Sequence, residues 1–131
     1  GLGSITAELT DATATAELVA STRAVINCAG PFSQYHAEEL LGECARTGTH
    51  YSDLAGEGFW QAEMVAKFHE TAKKSGAKIV LGGGIDSIPS DLGCMLAIEA
   101  VGEVAAPSGP VKVQGVYTEY TGSFSGGTLN S

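Results

Sequence analysis

Basic residues are scarce. Seven Lys and Arg stand against fifteen Asp and Glu, a formal net charge of −8. That balance repels polyanions, which excludes nucleic acid as a partner and electrostatic docking on anionic membranes. Long apolar runs are missing as well: no stretch approaches the ~18 residues needed to span a bilayer. No CxxC is present, and the three cysteines, Cys28, Cys44 and Cys94, cannot all pair within the chain. Each sits in an apolar stretch, so buried free thiols in a reducing compartment are expected. The three histidines, His36, His50 and His69, show no ligand spacing, and no metal site is expected. GxSxG is absent, and no His is spaced to activate Ser87 or Ser90, which argues against a hydrolase. YxxxK and the phosphate-binding GxGxxG are absent too; "GLGSIT" and "GGGIDS" both lack the spacing.

What is present suits an α/β protein. The charged fraction of 17% lies below the usual ~25%. A hydrophobic fraction of 44% supplies material for a core. The length of 131 residues is that of one domain, or one domain and part of another. The chain opens on Gly-Leu-Gly without Met and closes on "GGTLNS", and so reads as a fragment of a longer protein.

Strand and helix alternate. "SITAEL" (4–9) reads as a short strand, "ATAELVAST" (14–22) as a short helix, and "RAVINCA" (23–29) as a strand buried on both faces. A helix follows with Ser33 as N-cap. Its apolar face is Ala37, Leu40, Leu41, Cys44 and Ala45, with Arg46 and Gly48 at its end. "HYSDL" (50–54) is the next strand. The clearest helix spans 59–76, with Trp60, Met64, Phe68 and Ala72 at every fourth position and Val65 beside them. "AKIVLGG" (77–83) is a strand, 86–102 a helix with Pro89 in its first turn, and 111–122 a longer alternating strand. This order predicts a parallel sheet with right-handed crossovers, a partial Rossmann-type sheet followed by the start of an α+β domain.

Ligands of such sheets bind at the carboxyl ends of the strands. Those ends are Asp11, Ala29–Phe32, Asp53–Glu57 and Gly82–Ser87, and glycine recurs at three of the four. Glycine lets backbone approach a ligand closely; βα turns also need glycine, and Asp11, Asp53, Glu57 and Asp86 also suit helix caps or loop acids.

The strings "VINCAGPFSQYHAEELLGECARTGTHYSDLAGE" and "KFHETAKKSGAKIVLGGGIDSIPSDLG" resemble the saccharopine dehydrogenase-like oxidoreductases, a group that takes in trans-acting enoyl reductases of lipid synthesis. GPF, GTHYSDLAGE and GIDSIPSDLG match in order and spacing, and the likeness spans roughly residues 11–131. It implies a Rossmann domain binding NAD or NADP over residues 1–87 and the start of an α+β substrate and dimerisation domain over 88–131. It puts Asp11 near the adenine, and Asn27, Cys28, Ala29, Gly30, Pro31 and Phe32 beside the ribose and nicotinamide. Tyr51, Asp53, Asp86 and Ser87 fall on the substrate side. No catalytic acid or base transfers. Relatives often carry Gly at the place of His36 and an aromatic at the place of Ile85, both bordering the cleft.

In a sheet of order 3-2-1-4-5-6, residues 4–9 would be the third strand and 23–29 the fourth. The first two strands and the pyrophosphate-binding helix would then lie upstream. A frayed first strand and weak dinucleotide binding by residues 1–131 alone are expected. The activity implied is hydride transfer to or from a carbonyl, imine or enoyl carbon. The alternative is a non-catalytic Rossmann-derived binding or scaffold protein associated with lipid. Expected partners are the dinucleotide and a small-molecule or lipid-like substrate, with room for a homodimer. The expected location is cytoplasmic or peripheral to a lipid surface.

Overall fold

The computed structural model describes residues 3–85, 87–104, 109–119 and 121, with side chains omitted at 103 and 104. Asp86 and the trailing "GGTLNS" lie outside the described residues.

Seven elements follow one another: α1 (Ala12–Ala20), β1 (Ala24–Asn27), α2 (Ala37–Thr47), β2 (His50–Asp53), α3 (Gly58–Ser75), β3 (Ile79–Val80) and α4 (Ile88–Val104). The strands form a parallel sheet in the order β1-β2-β3. Each neighbouring pair is joined by a crossover helix, as the alternating sequence predicts. The result is a partial Rossmann-like α/β fold.

Register sets what each face does. Val25, Tyr51 and Ile79 are partners across the sheet and point to the helices, where they join the core. The core centres on Val19 from α1, Leu40, Leu41 and Cys44 from α2, and Trp60 and Met64 from α3. All five apolar positions predicted for α2 are buried. On α3, Trp60, Met64 and Ala72 are buried, while Val65 is 54% exposed. Ile26, Ser52 and Val80 line the opposite face. Ile26 is 77% exposed, which corrects the reading of β1 as buried on both faces: the packed helices cover one side only.

Other local expectations change. No strand forms over residues 4–9, in line with a frayed first strand. Residues 111–119 and 121 carry no strand either. An isolated extended segment has no ladder to satisfy its N–H and C=O groups, whatever its side-chain alternation. Ser33 does not cap α2. Instead a separate turn, closed by Tyr35 N–H donating to the Pro31 carbonyl (3.1 Å), precedes His36, whose φ of +57° breaks the helical path before Ala37. Cys44 is buried and Cys94 half-buried, but Cys28 is exposed, contrary to its apolar surroundings in sequence, because it sits past the end of β1.

Candidate functional site

A parallel sheet brings its carboxyl ends to one edge. Asn27 and Asp53 are register partners there. The segments after β1, β2 and β3 therefore meet, and Ala29–Phe32 shares the edge with Gly82–Ile85 and Ser87. The middle segment, "YSDLAGE" (51–57), reaches to both sides.

Toward β1, the buried Tyr51 hydroxyl accepts a bond from Asn27 Nδ2 at 3.1 Å, and Asn27 Oδ1 accepts from Ala29 N–H at 3.0 Å. Burial raises the Tyr51 pKa above its ordinary value, and the charge of Asp53 adds to the rise, so the phenol stays protonated. Toward β3, Asp53 Oδ1 accepts from Ala55 N–H at 3.1 Å and Gly82 N–H at 2.8 Å. The Asp53 carbonyl accepts from Gly83 N–H at 2.6 Å. Asp53 is 2% exposed, and its Oδ2 has no hydrogen-bond partner among the described residues.

Glu57 occupies the N-cap position of α3 but makes no side-chain cap bond. Its carboxylate reaches back to the first turn of the edge. Oε1 accepts from Phe32 N–H at 2.9 Å and Oε2 from Ser33 N–H at 2.8 Å. The group is 3% exposed, and two N–H donors on one carboxylate suit its anion. The turn it holds contains the cis Gly30–Pro31 bond, and the Phe32 ring packs 5.9 Å from Trp60. Cys28, Ala29 and Gly30 are left facing solvent. Sequence reasoning did not assign Glu57 a site role. The available signal was the residue type itself, a Glu where Ser, Thr, Asp or Asn normally caps a helix.

The glycines of the β3 segment lie close to their neighbours. Gly82 has φ +67°, and a Cβ there would sit 2.8 Å from Gln61 Nε2. A Cβ at Gly83 would meet Ser52 Oγ at 2.9 Å, and one at Gly84 would meet Leu54 Cβ at 2.9 Å. These glycines let the β3 segment pack onto β2 and its loop. Asp11, exposed, caps α1 through Thr13 and Ala14 N–H groups at 3.0 and 3.1 Å. Ser87 is half-buried just before α4, its carbonyl accepting from Asp91 N–H. Tyr51 and Asp53 lie beneath the surface of the edge, not on it.

Charge is distributed unequally across the sheet. Arg23 and Lys78 precede strands, and Arg46, Lys73 and Lys74 end helices, all at the amino edge. Lys67 is tied to Glu38. The segments of the carboxyl edge contain no Lys or Arg. The described edge thus presents exposed backbone at 28–30 and no basic side chain. Beside it, a cavity of about 350 Å³ opens between the first turns of α2 and α3, lined in part by Phe32, His36, Glu39, Phe59 and Trp60. Among the described residues no group of His, Cys, Asp and Glu could hold a metal ion, and no helix is long and apolar enough to cross a membrane.

Comparison with known proteins places this edge in context. The family model described as the saccharopine dehydrogenase NADP binding domain matches residues 2–80. The chain is 32% identical over 110 residues to a protein of Arabidopsis thaliana named "Probable mitochondrial saccharopine dehydrogenase-like oxidoreductase", covering 84% of the chain and 23% of that protein. It is 33% identical over 94 residues to the saccharopine dehydrogenase-like oxidoreductase of Mus musculus, covering 72% of the chain and 22% of the relative. It is 38% identical over 76 residues to the trans-acting enoyl reductase of Mycobacterium ulcerans, covering 58% and 18%. The chain thus spans about a quarter or less of the length of these relatives. No solved structure gives a significant match. A parallel α/β sheet with its loops gathered at the carboxyl edge, and a family match over more than half the length, agree: the chain belongs to the saccharopine dehydrogenase NADP-binding domain family.

Proposed function

We propose that this chain forms the nicotinamide side of the NAD(P) site in an oxidoreductase that moves hydride to or from a carbonyl, imine or enoyl carbon. The observation that carries the reading is the meeting of the Ala29–Phe32 turn, the Asp53–Glu57 loop and the β3 segment at one edge of a sheet whose family binds NADP. The hydride chemistry belongs to the bound nicotinamide. The chain's own residues hold the surface it rests on. Asn27 fixes the backbone at Ala29, and Glu57 fixes Phe32 and Ser33. Asp53 joins the β2 and β3 segments from below. The exposed backbone of Cys28, Ala29 and Gly30 is the proposed contact with the ring and its ribose, and Asp11 lies at the proposed adenine end.

The cavity between α2 and α3 adjoins the turn and is the proposed approach for the substrate, and Ser87, beyond β3, is proposed for the same side. Residues 88–131 begin a second domain in this reading. Support comes from α4, whose Leu92, Met95, Leu96 and Val101 are 43–59% exposed, an apolar surface suited to burial against further structure. A homodimer contact there belongs to the same proposal.

The test is titration of the full-length protein carrying this chain with NADPH, followed by dihydronicotinamide fluorescence, then turnover with enoyl thioesters, imines and simple ketones. Saturable binding with oxidation of NADPH by one of these classes supports the reading. Absence of dinucleotide binding refutes it.

A further inference from the structure

We infer that Glu57 is a positioning residue for the dinucleotide: its carboxylate sets the height and tilt of the turn against which the nicotinamide lies. The inference rests on the reading of that turn given under Proposed function.

The geometry separates this role from that of an ordinary helix cap. A residue at the N-cap of α3 would stabilise its own helix by accepting N–H bonds from the first turn. Glu57 leaves those donors alone and spends both carboxylate oxygens on Phe32 and Ser33, at 2.9 and 2.8 Å and 24–25 residues away. The side chain is buried; the bond to Phe32 is buried with it and the bond to Ser33 partly so. Phe32 and Ser33 stand between the exposed part of the turn and α2. Upstream of them lie the exposed Cys28, Ala29 and Gly30; downstream, His36 with φ +57° redirects the chain into α2. Phe32 itself is anchored on Trp60 of α3. The turn is therefore pinned twice to the start of α3, once by a ring and once by a charge. The ring contact is non-directional, whereas two N–H bonds to one rigid carboxylate plane fix orientation as well as distance.

Side-chain length is what separates positioning from stability. Aspartate keeps the charge but is one methylene shorter. It falls short of Phe32 and Ser33, and it is a favoured N-cap for α3. Glu57→Asp therefore releases the turn and gives α3 a favoured cap, which offsets part of the cost of the unpartnered Phe32 and Ser33 N–H groups.

The experiment compares the full-length wild-type protein with Glu57→Asp and Glu57→Gln, each measured for NADPH affinity, thermal midpoint and amide exchange of the 28–36 peptide. Glutamine keeps the length but turns one acceptor into a donor that faces an N–H group. The expected result for Glu57→Asp is a modestly lowered midpoint, faster exchange at 28–36, and an affinity for NADPH weakened about tenfold, the loss expected when a preorganised contact surface must be ordered on binding. Glu57→Gln weakens binding likewise. If Glu57→Asp binds NADPH as tightly as wild type although its 28–36 peptide exchanges faster, the turn needs no positioning and the inference fails. If the α2 and α3 peptides, read in the same experiment, exchange faster along with 28–36 in Glu57→Asp, the loss of affinity follows from global destabilisation, the residue is structural and the inference fails. If the exchange of 28–36 does not change, the two bonds do not hold the turn and the inference fails. Wild type that does not bind NADPH at all is a different result, which removes the functional reading itself.

Discussion

Replacing Asp53 by alanine tests whether the middle loop fastens the edge. In the structure Asp53 Oδ1 is the acceptor for two N–H groups, Ala55 at 3.1 Å and Gly82 at 2.8 Å, and both bonds are buried. Alanine leaves both donors without a partner and without water, at roughly 1–3 kcal/mol each, or about 4 kcal/mol together. Against the 5–15 kcal/mol that holds a domain, this is a large share. Asparagine keeps one acceptor oxygen where the two donors converge but removes the charge. Charge-assisted bonds are about twice as strong as neutral ones, so Asp53→Asn is expected to cost only about 1–2 kcal/mol. Urea unfolding with linear extrapolation measures both variants. Amide exchange gives the local counterpart: Gly82 and Ala55 lose protection in the alanine variant and retain part of it in the asparagine variant. A loss below about 0.5 kcal/mol for Asp53→Ala would refute the reasoning, because two buried donors cannot be orphaned that cheaply.

Gly82→Ala is expected to destabilise by about 2–3 kcal/mol, since the left-handed backbone penalises a Cβ and the added atom meets Gln61 Nε2; the same urea series measures it. Cys44, buried in α2, has its pKa pushed up from 9.0 to about 11, chiefly by burial and then by the neighbouring Glu43 charge. In the folded chain, iodoacetamide at mildly alkaline pH should label exposed Cys28 and spare Cys44, as peptide mass mapping would show. The sign for stability follows from linkage. The folded thiol holds its proton where the unfolded thiol has lost it. Cys44 therefore contributes stability in full below pH 9.0, and that contribution is lost as pH rises toward about 11. Tyr51, raised in the same direction, adds to the alkaline loss, and unfolding midpoints recorded from neutral pH upward should fall above pH 9.0.

Much of the fold is legible in local sequence, because helix and strand periods are local. Ala37, Leu40, Leu41, Cys44 and Ala45 fall on one helical face, and all are buried. Gly48 and Gly76, both at positive φ, end α2 and α3 where the sequence places the stops. The failures occur where the outcome depends on a distant partner. "SITAEL" has strand chemistry, but a strand exists only beside another strand, and Ile5 is 52% exposed. Ser33 is a good cap by type, yet its N–H belongs to Glu57 and the helix starts later, after His36. At the site, the edge is legible because parallel order fixes which strand ends meet. The bonds from Asp53 to Gly82 and from Glu57 to Phe32 span 29 and 25 residues, and no local pattern encodes them. The glycine run at 82–84 shows the limit of composition as a guide. By type it suits either a tight turn or the approach of a ligand, and only the folded chain shows Leu54, Ser52 and Gln61 close against it.

The most direct test of the account is amide exchange of the full-length protein with and without NADPH, read peptide by peptide along this chain. The account predicts new protection at 27–33 and at 82–87, on the carboxyl edge, with residues 46–49 and 74–78 at the amino edge unchanged. Protection confined to the amino edge, or to the open sheet face around Ile26 and Val80, would contradict it.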